Sequence, residues 1–236
     1  MPWVAGVDGC RAGWVVVLVE AYAAATQIPD IRLCPRFDAV LTLEPAPIVV
    51  AVDIPIGLLD MPHPGGRTCD QQARRLLGRR ASSVFSPPSR HILAATRYEQ
   101  VRAHGMSRQA FGILPKIREV DRLMTPVLQQ LVYEAHPELA FRSLAGHPMQ
   151  HNKKTPAGRE ERLRALAGAP GMSLQDLRHT LARTQKTFKR TQMAPDDLLD
   201  AYVLTWTAGR IASAQGSRVP ASAPVDARGL RMEIWF

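Results

Sequence analysis

Five carboxylates in this chain stand where residue type and spacing suggest chemistry. Asp8 ends the run Val4-Ala5-Gly6-Val7, and Asp53 ends the run Ile48-Val49-Val50-Ala51-Val52. Glu134 lies inside Val132-Tyr133-Glu134-Ala135, just ahead of His136-Pro137. Asp197 and Asp200 follow Pro195 with a three-residue spacing. On a helix that spacing puts both on one face, near the positive end of the helix dipole. Carboxylates brought together repel, and each is driven to protonate unless a cation sits among them. Hard oxygen donors suit Mg²⁺ or Mn²⁺. Two such ions about 3.5–4 Å apart can activate water and stabilise the leaving oxygen in phosphodiester cleavage. Each residue alone has a plainer reading: a strand-end turn for Asp8 or Asp53, a helix cap for Asp197, an arginine partner for Glu134. Asp196 adjoins the last pair and could shift its assignment by one.

Cations that could hold the substrate are segregated along the chain. Residues 67–118 carry 11 Lys or Arg against 2 Asp or Glu, residues 153–190 carry 10 against 3, and the remainder is net acidic. A polyanion gripped by the basic segments could bring its backbone to an acidic centre, so nucleic acid is the expected partner. The candidate substrate-binding residues are Arg11, Arg67, Arg79, Arg80, Ser82, Ser83, Lys153 and Lys154. Arginine forks match phosphate oxygens. Ser82, Ser83 and Ser86 lie in a loop stiffened by Pro87 and Pro88, where hydroxyls and amides could meet a phosphate. The competing reading makes the arginines an exposed helix face and the serines part of a structural loop. His136 could move a proton or serve as a packed structural residue.

The elements that must position these groups follow from pattern. Val4–Asp8, Trp14–Val19, Ile31–Cys34, Ile48–Asp53 and Leu131–Ala135 read as strands, and Phe37–Leu43 as a short helix. Helices are expected over Cys69–Arg80, after the candidate caps Ser89 and Ser107, and over Glu138–Leu144, Arg159–Ala167 and Ser173–Phe188. Gly146–Gly158 reads as a polar loop. Pro195 opens a last helix to about Ala214, and Leu230–Phe236 reads as a short edge strand. This order predicts an α/β domain over 1–236, with a mixed sheet of five or six strands flanked by helices and a helical insertion over 58–130.

Three unpaired cysteines argue against a disulfide framework or structural zinc. No apolar run approaches the roughly 20 residues of a membrane span, and the amino terminus lacks the pattern of a signal peptide. A soluble cytoplasmic protein is expected; the oligomeric state is left open.

The segments GVDGCRAGW, AVDIPIGL, GGRTCDQQAR, SSVFSPPSR, VYEAHPELAF, KKT and DDLLDAYVLTWTA resemble the domain-of-unknown-function four-two-nine family, over about Val4 to Phe236. The family is described as predicted ribonuclease H-like nucleases. A more distant resemblance is to Holliday junction resolvases of that superfamily, which carry an acid on strand one, an acid ending strand four and a D-x-x-D-A pair opening the last helix. Asp8, Asp53 and Asp197-Leu198-Leu199-Asp200-Ala201 match those positions, while Glu134 has no clear counterpart. The resemblance implies a ribonuclease H-like fold and a metal-dependent nuclease. Two rivals share that core. A non-catalytic nucleic-acid-binding or regulatory protein would keep the fold without turnover. An actin-like phosphotransferase would need a second core, for which the chain has no second strand pair with a DG turn.

Overall fold

In the computed structural model, which describes residues 1–21, 28–103 and 106–236, alternation along the strands divides the apolar side chains between two cores. On β1 (Trp3–Cys10), Val4 and Cys10 face one core while Ala5 and Val7 face the other. The same split holds on β2 (Gly13–Glu20), with Val15 and Val17 opposite Trp14, Val16 and Leu18. β3 (Asp30–Cys34) is followed by the short helix α1 (Phe37–Leu41). On β4 (Pro47–Val52), Val49 and Ala51 oppose Val50 and Val52. A sheet buried on both faces needs helices on both, and each Val or Leu taken out of water contributes roughly 1.5–3 kcal/mol.

β1 pairs antiparallel with β2 and parallel with β4, β2 pairs antiparallel with β3, and β4 pairs parallel with β5 (Val132–Glu134). The sheet order is β3-β2-β1-β4-β5, a mixed sheet with five of the five or six strands expected from the sequence.

The stretch between β4 and β5 holds α2 (Thr68–Leu77), α3 (Glu99–Arg102) and α4 (Arg108–Leu123), with 3₁₀ turns at Gly78–Ser83, Arg90–Ile92 and Leu128–Gln130. Ile117 and Val120 of α4, with Met124 just beyond it, share the core of Ala5, Val7 and Val52, so this segment supplies a covering layer of the sheet. Ser107 caps α4 by accepting from the Ala110 amide; Ser89 makes no such bond.

The opposite face is covered by α5 (Pro137–Ala145), α6 (Pro156–Ala167), α7 (Leu174–Thr187) and α8 (Pro195–Ala212). α6 begins inside the stretch read as loop, because Thr155 caps it on the Gly158 amide and Pro156 suits the first turn. The tail differs more. Ile234–Trp235 (β7) forms a strand that pairs with Arg218–Val219 (β6), while single bridges join Trp235 to Ala135 and Arg231 to Val225. Leu230 to Met232 instead passes over Gly57, where φ is +75° and a β-carbon would meet the Leu230 and Arg231 carbonyls at 3.1 Å. Among the described residues no helix is long and apolar enough to cross a membrane.

Candidate metal centre

Gly6, on the same face of β1 as Val4, lies under α8: a β-carbon there would stand 2.1 Å from the Ala201 carbonyl oxygen. Asp8 is two residues further on the same face, so the strand period delivers its carboxyl to the amino-terminal end of α8. That end carries Asp197 and Asp200. Asp53 follows β4 directly, and its amide donates to the Val7 carbonyl at 3.0 Å, which fixes it beside the end of β1. Three separate elements therefore deliver Asp8, Asp53 and Asp200 to one end of the sheet, beyond the carboxyl ends of parallel strands where ligands gather in open α/β folds.

Their electrostatics record the proximity. Burial pushes Asp8 well above the ordinary carboxylate range, and Asp53 and Asp200 push it further. Burial also raises Asp53, against the pull of His136 and Lys153. Asp200, 1% exposed, is lifted by burial to about 6, with Lys153 opposing and Asp53 adding. The Lys153 ammonium lies 2.5 Å from Asp200 Oδ2, and Asp200 holds that lysine above the usual range, helped by Asp8 and Asp53. Asp197 accepts from the Ala194 amide at 2.8 Å and so helps cap α8. Burial raises it, and the Ala194 bond opposes that rise.

The donors suit a hard divalent ion: carboxylates from three elements share one close ammonium. His136 Nδ1, on the ring that stabilises ionised Asp53, is buried and has no hydrogen-bond partner among the described residues. Among the described residues no three His, Cys, Asp or Glu side chains already form an ion cage.

Asp197 also lines a cleft of about 620 Å³ with Asp196, Gly9 and Cys10. Arg11, Lys116, Lys154, Arg159 and Arg190 surround it. Lys116 is braced, donating to the Gly13 carbonyl at 2.5 Å with its ammonium 4.3 Å from the Trp14 ring centre. Arg11, Lys154 and Arg190 are exposed and make no ion pair among the described residues. Lys116, Arg159 and Arg190 had not stood out in the sequence; the signal available was the net charge of the two basic segments.

Other candidates lie elsewhere or are otherwise engaged. Glu134 is turned into the interior, where Arg67 binds both its oxygens at 2.6 and 2.8 Å and the Ile56 amide donates at 2.7 Å. Its arginine-paired alternative is the arrangement found, and a metal role is set aside because both oxygens are occupied. Arg67, expected to grip phosphate, is 2% exposed, and its donors go to Glu134, Asp70 and the carbonyls of Ile56 and Gly57. It is an internal counter-ion, because nothing in solution can reach it. Arg80 pairs with Glu138 at 3.0 Å, Arg79 donates to Gln150 at 2.8 Å, and Ser83 donates to the Arg80 carbonyl at 2.8 Å. Ser82 is exposed on the same 3₁₀ turn. None of these four lines the cleft.

The family described as "Protein of unknown function (DUF429)" matches residues 6–225, which takes in Asp8, Asp53, Lys153, Asp197 and Asp200. The chain belongs to this family. No curated protein and no solved structure matches it. The DUF429 match ends at Val225, so β7 and the final residues lie beyond it.

Proposed function

We propose that this DUF429 chain is a ribonuclease H-like, metal-dependent nuclease that hydrolyses phosphodiester bonds in nucleic acid. The observation that carries the reading is the gathering of Asp8, Asp53 and Asp200 from β1, the end of β4 and α8 at one end of the sheet, held by the Asp53 amide on the Val7 carbonyl and the close approach of Gly6 to Ala201. An acid on the first strand, an acid ending the fourth and a D-x-x-D pair opening the last helix are the positions that the resolvase resemblance implies. The sheet order β3-β2-β1-β4-β5, with β2 alone running against the other four strands, supports the same core.

Asp8, Asp53 and Asp200 would hold Mg²⁺ or Mn²⁺, with Asp197 at the rim. When bound, such an ion supplies an activated water and stabilises charge on the leaving oxygen. The chain's own part is binding and orientation. Arg11, Lys154, Arg159 and Arg190 draw a phosphate backbone into the cleft and neutralise it. Asp196 and Asp197 line the same cleft, and the Ala194 amide fixes one oxygen of Asp197.

A second reading, a nucleic-acid-binding protein without turnover, is favoured by one observation: Asp200 is already neutralised by Lys153. Labelled single-stranded, duplex, hybrid and branched oligonucleotides, incubated with Mn²⁺, separate the two. The nuclease reading expects cutting that needs the ion and is abolished in Asp8→Asn. Tight, salt-sensitive binding with no cutting of any substrate would overturn it in favour of the second reading.

A further inference from the structure

We propose that Lys153 permanently fills one cation position of the carboxylate centre, so that the site takes one divalent ion rather than two. This rests on the metal-dependent reading above and replaces the two-ion expectation drawn from the sequence.

The loop that carries Lys153 is built to aim it inward. The amides of Gln150 and His151 donate to the Glu161 carboxylate at 2.6 and 2.9 Å. Arg162, fully buried, donates to the His151 carbonyl at 3.3 Å and the Gly158 carbonyl at 3.0 Å, and pairs with Glu138. Thr155 donates to the Asn152 carbonyl at 2.8 Å while accepting from the Gly158 amide at 3.0 Å. A β-carbon on Gly158 would stand 2.0 Å from the Asn152 oxygen, so the loop presses on α6 more closely than any other residue would allow. Both flanks of Lys153 are thus pinned to one helix, and its ammonium reaches Asp200. The neighbouring Lys154 takes the opposite course and lies exposed on the cleft wall. A lysine reserved for substrate would resemble Lys154, with donors open to the cleft.

Charge balance gives the count. Asp8, Asp53 and Asp200 are three carboxylates, and Lys153, whose ammonium lies 2.5 Å from Asp200, sets one positive charge against them. One divalent ion cancels the other two, whereas a second would leave two positive charges beside the buried Asp8 and Asp200, where unbalanced charge is costly. Asp197 adds a fourth negative charge that acts on Asp8, opposed by Lys153 and then by Lys116; counting Lys116 with it leaves the balance at one divalent ion.

Titration of the wild-type chain with Mn²⁺ alone, with free ion read by electron paramagnetic resonance, tests the count. Ions that still bind to Asp8→Asn are subtracted as sites elsewhere. The wild type is expected to bind one Mn²⁺ at the centre. Lys153→Met is expected to bind a second ion, or the one ion roughly tenfold more tightly or better, because a repelling charge has gone. Two ions in the wild type, or an unchanged count and affinity in Lys153→Met, overturns the proposal and leaves the metal-dependent reading intact. Binding in Lys153→Met alone overturns the one-ion count, since the lysine would then exclude the ion outright. No binding to either protein removes the metal reading itself, and the proposal with it. If Lys153→Met does not fold, the wild-type count decides.

Discussion

Gly6 and Ala201 meet backbone to backbone, and a β-carbon on Gly6 would also lie 2.2 Å from the Thr205 amide nitrogen. This contact sets the spacing of β1 and α8, and with it the placing of Asp8 against Asp200. The Thr205 hydroxyl lies 3.1 Å from the Val17 carbonyl, so the helix is tied to β2 as well. Gly6→Ala must push α8 outward, since both close neighbours are backbone atoms. It is expected to cost about 1–3 kcal/mol in unfolding free energy and to weaken Mn²⁺ binding in the protein that remains folded. Denaturant titration with and without Mn²⁺ checks both. An unchanged midpoint would mean that the helix rides outward freely and does not position the site.

Asp8→Asn separates the electrostatic role of Asp8 from its packing. The amide keeps the oxygen that accepts from the Gly9 amide at 2.7 Å, but removes a buried charge from beside two others. The metal-free variant is expected to unfold at a higher temperature than the wild type, by the equivalent of about 1 kcal/mol. Stabilisation by Mn²⁺ should disappear at the same time. A variant that is less stable without metal would show that Lys153 already compensates Asp8 in full.

The acidic half of the site was legible in the sequence because each acid ends or opens a strongly patterned element. The apolar runs before Asp8 and Asp53 specify buried strands, and parallel strands leave their carboxyl ends at one edge. Asp197 and Asp200 share a face by helical spacing, and Pro195 fixes where that helix starts. The basic half was less legible. Arg67, in a Gly-Gly-Arg sequence, has the look of a phosphate grip, yet its partner Glu134 is 67 residues away. A local hint existed, since Asp70 lies one turn ahead and accepts from both the backbone and side chain of Arg67. Lys153 and Asp200 are 47 residues apart, and only the docking of their loop and helix joins them. The tail was legible only in part: Ile234–Trp235 pairs as a short strand, while Leu230 to Met232 packs on Gly57 and Arg231 bonds Gln129.

Acidity should reveal the same centre. Burial raises Asp8, Asp53 and Asp200 in the folded protein, Asp200 to about 6 against an ordinary value of 3.8. The folded metal-free chain therefore keeps protons that the unfolded chain has released. Stability from this source is full below pH 3.8 and is lost as pH rises through about 6. A bound divalent ion removes the cost of ionising these groups, so it should stabilise most where they are ionised. Adding Mn²⁺ is expected to raise the unfolding temperature more at pH 8 than at pH 5, as read by differential scanning calorimetry. An equal or larger shift at pH 5 would detach the ion from these carboxylates.

Two arginines should respond oppositely to removal. Arg67→Ala would leave Asp70 and Glu134 buried without their counter-ion, and the expected loss is about 3–5 kcal/mol of stability. Arg190, exposed on the cleft, has no such partner among the described residues. Arg190→Ala is expected to leave stability within about 0.5 kcal/mol of wild type. It should weaken binding to oligonucleotides of every sequence and lower the slope of log affinity against log salt by about 1. Fluorescence anisotropy at several salt concentrations, with denaturant titration of both variants, measures each effect. A stable Arg67→Ala with reduced oligonucleotide affinity, beside an unaffected Arg190→Ala, would move the phosphate grip from the cleft to the Gly65-Gly66-Arg67 segment.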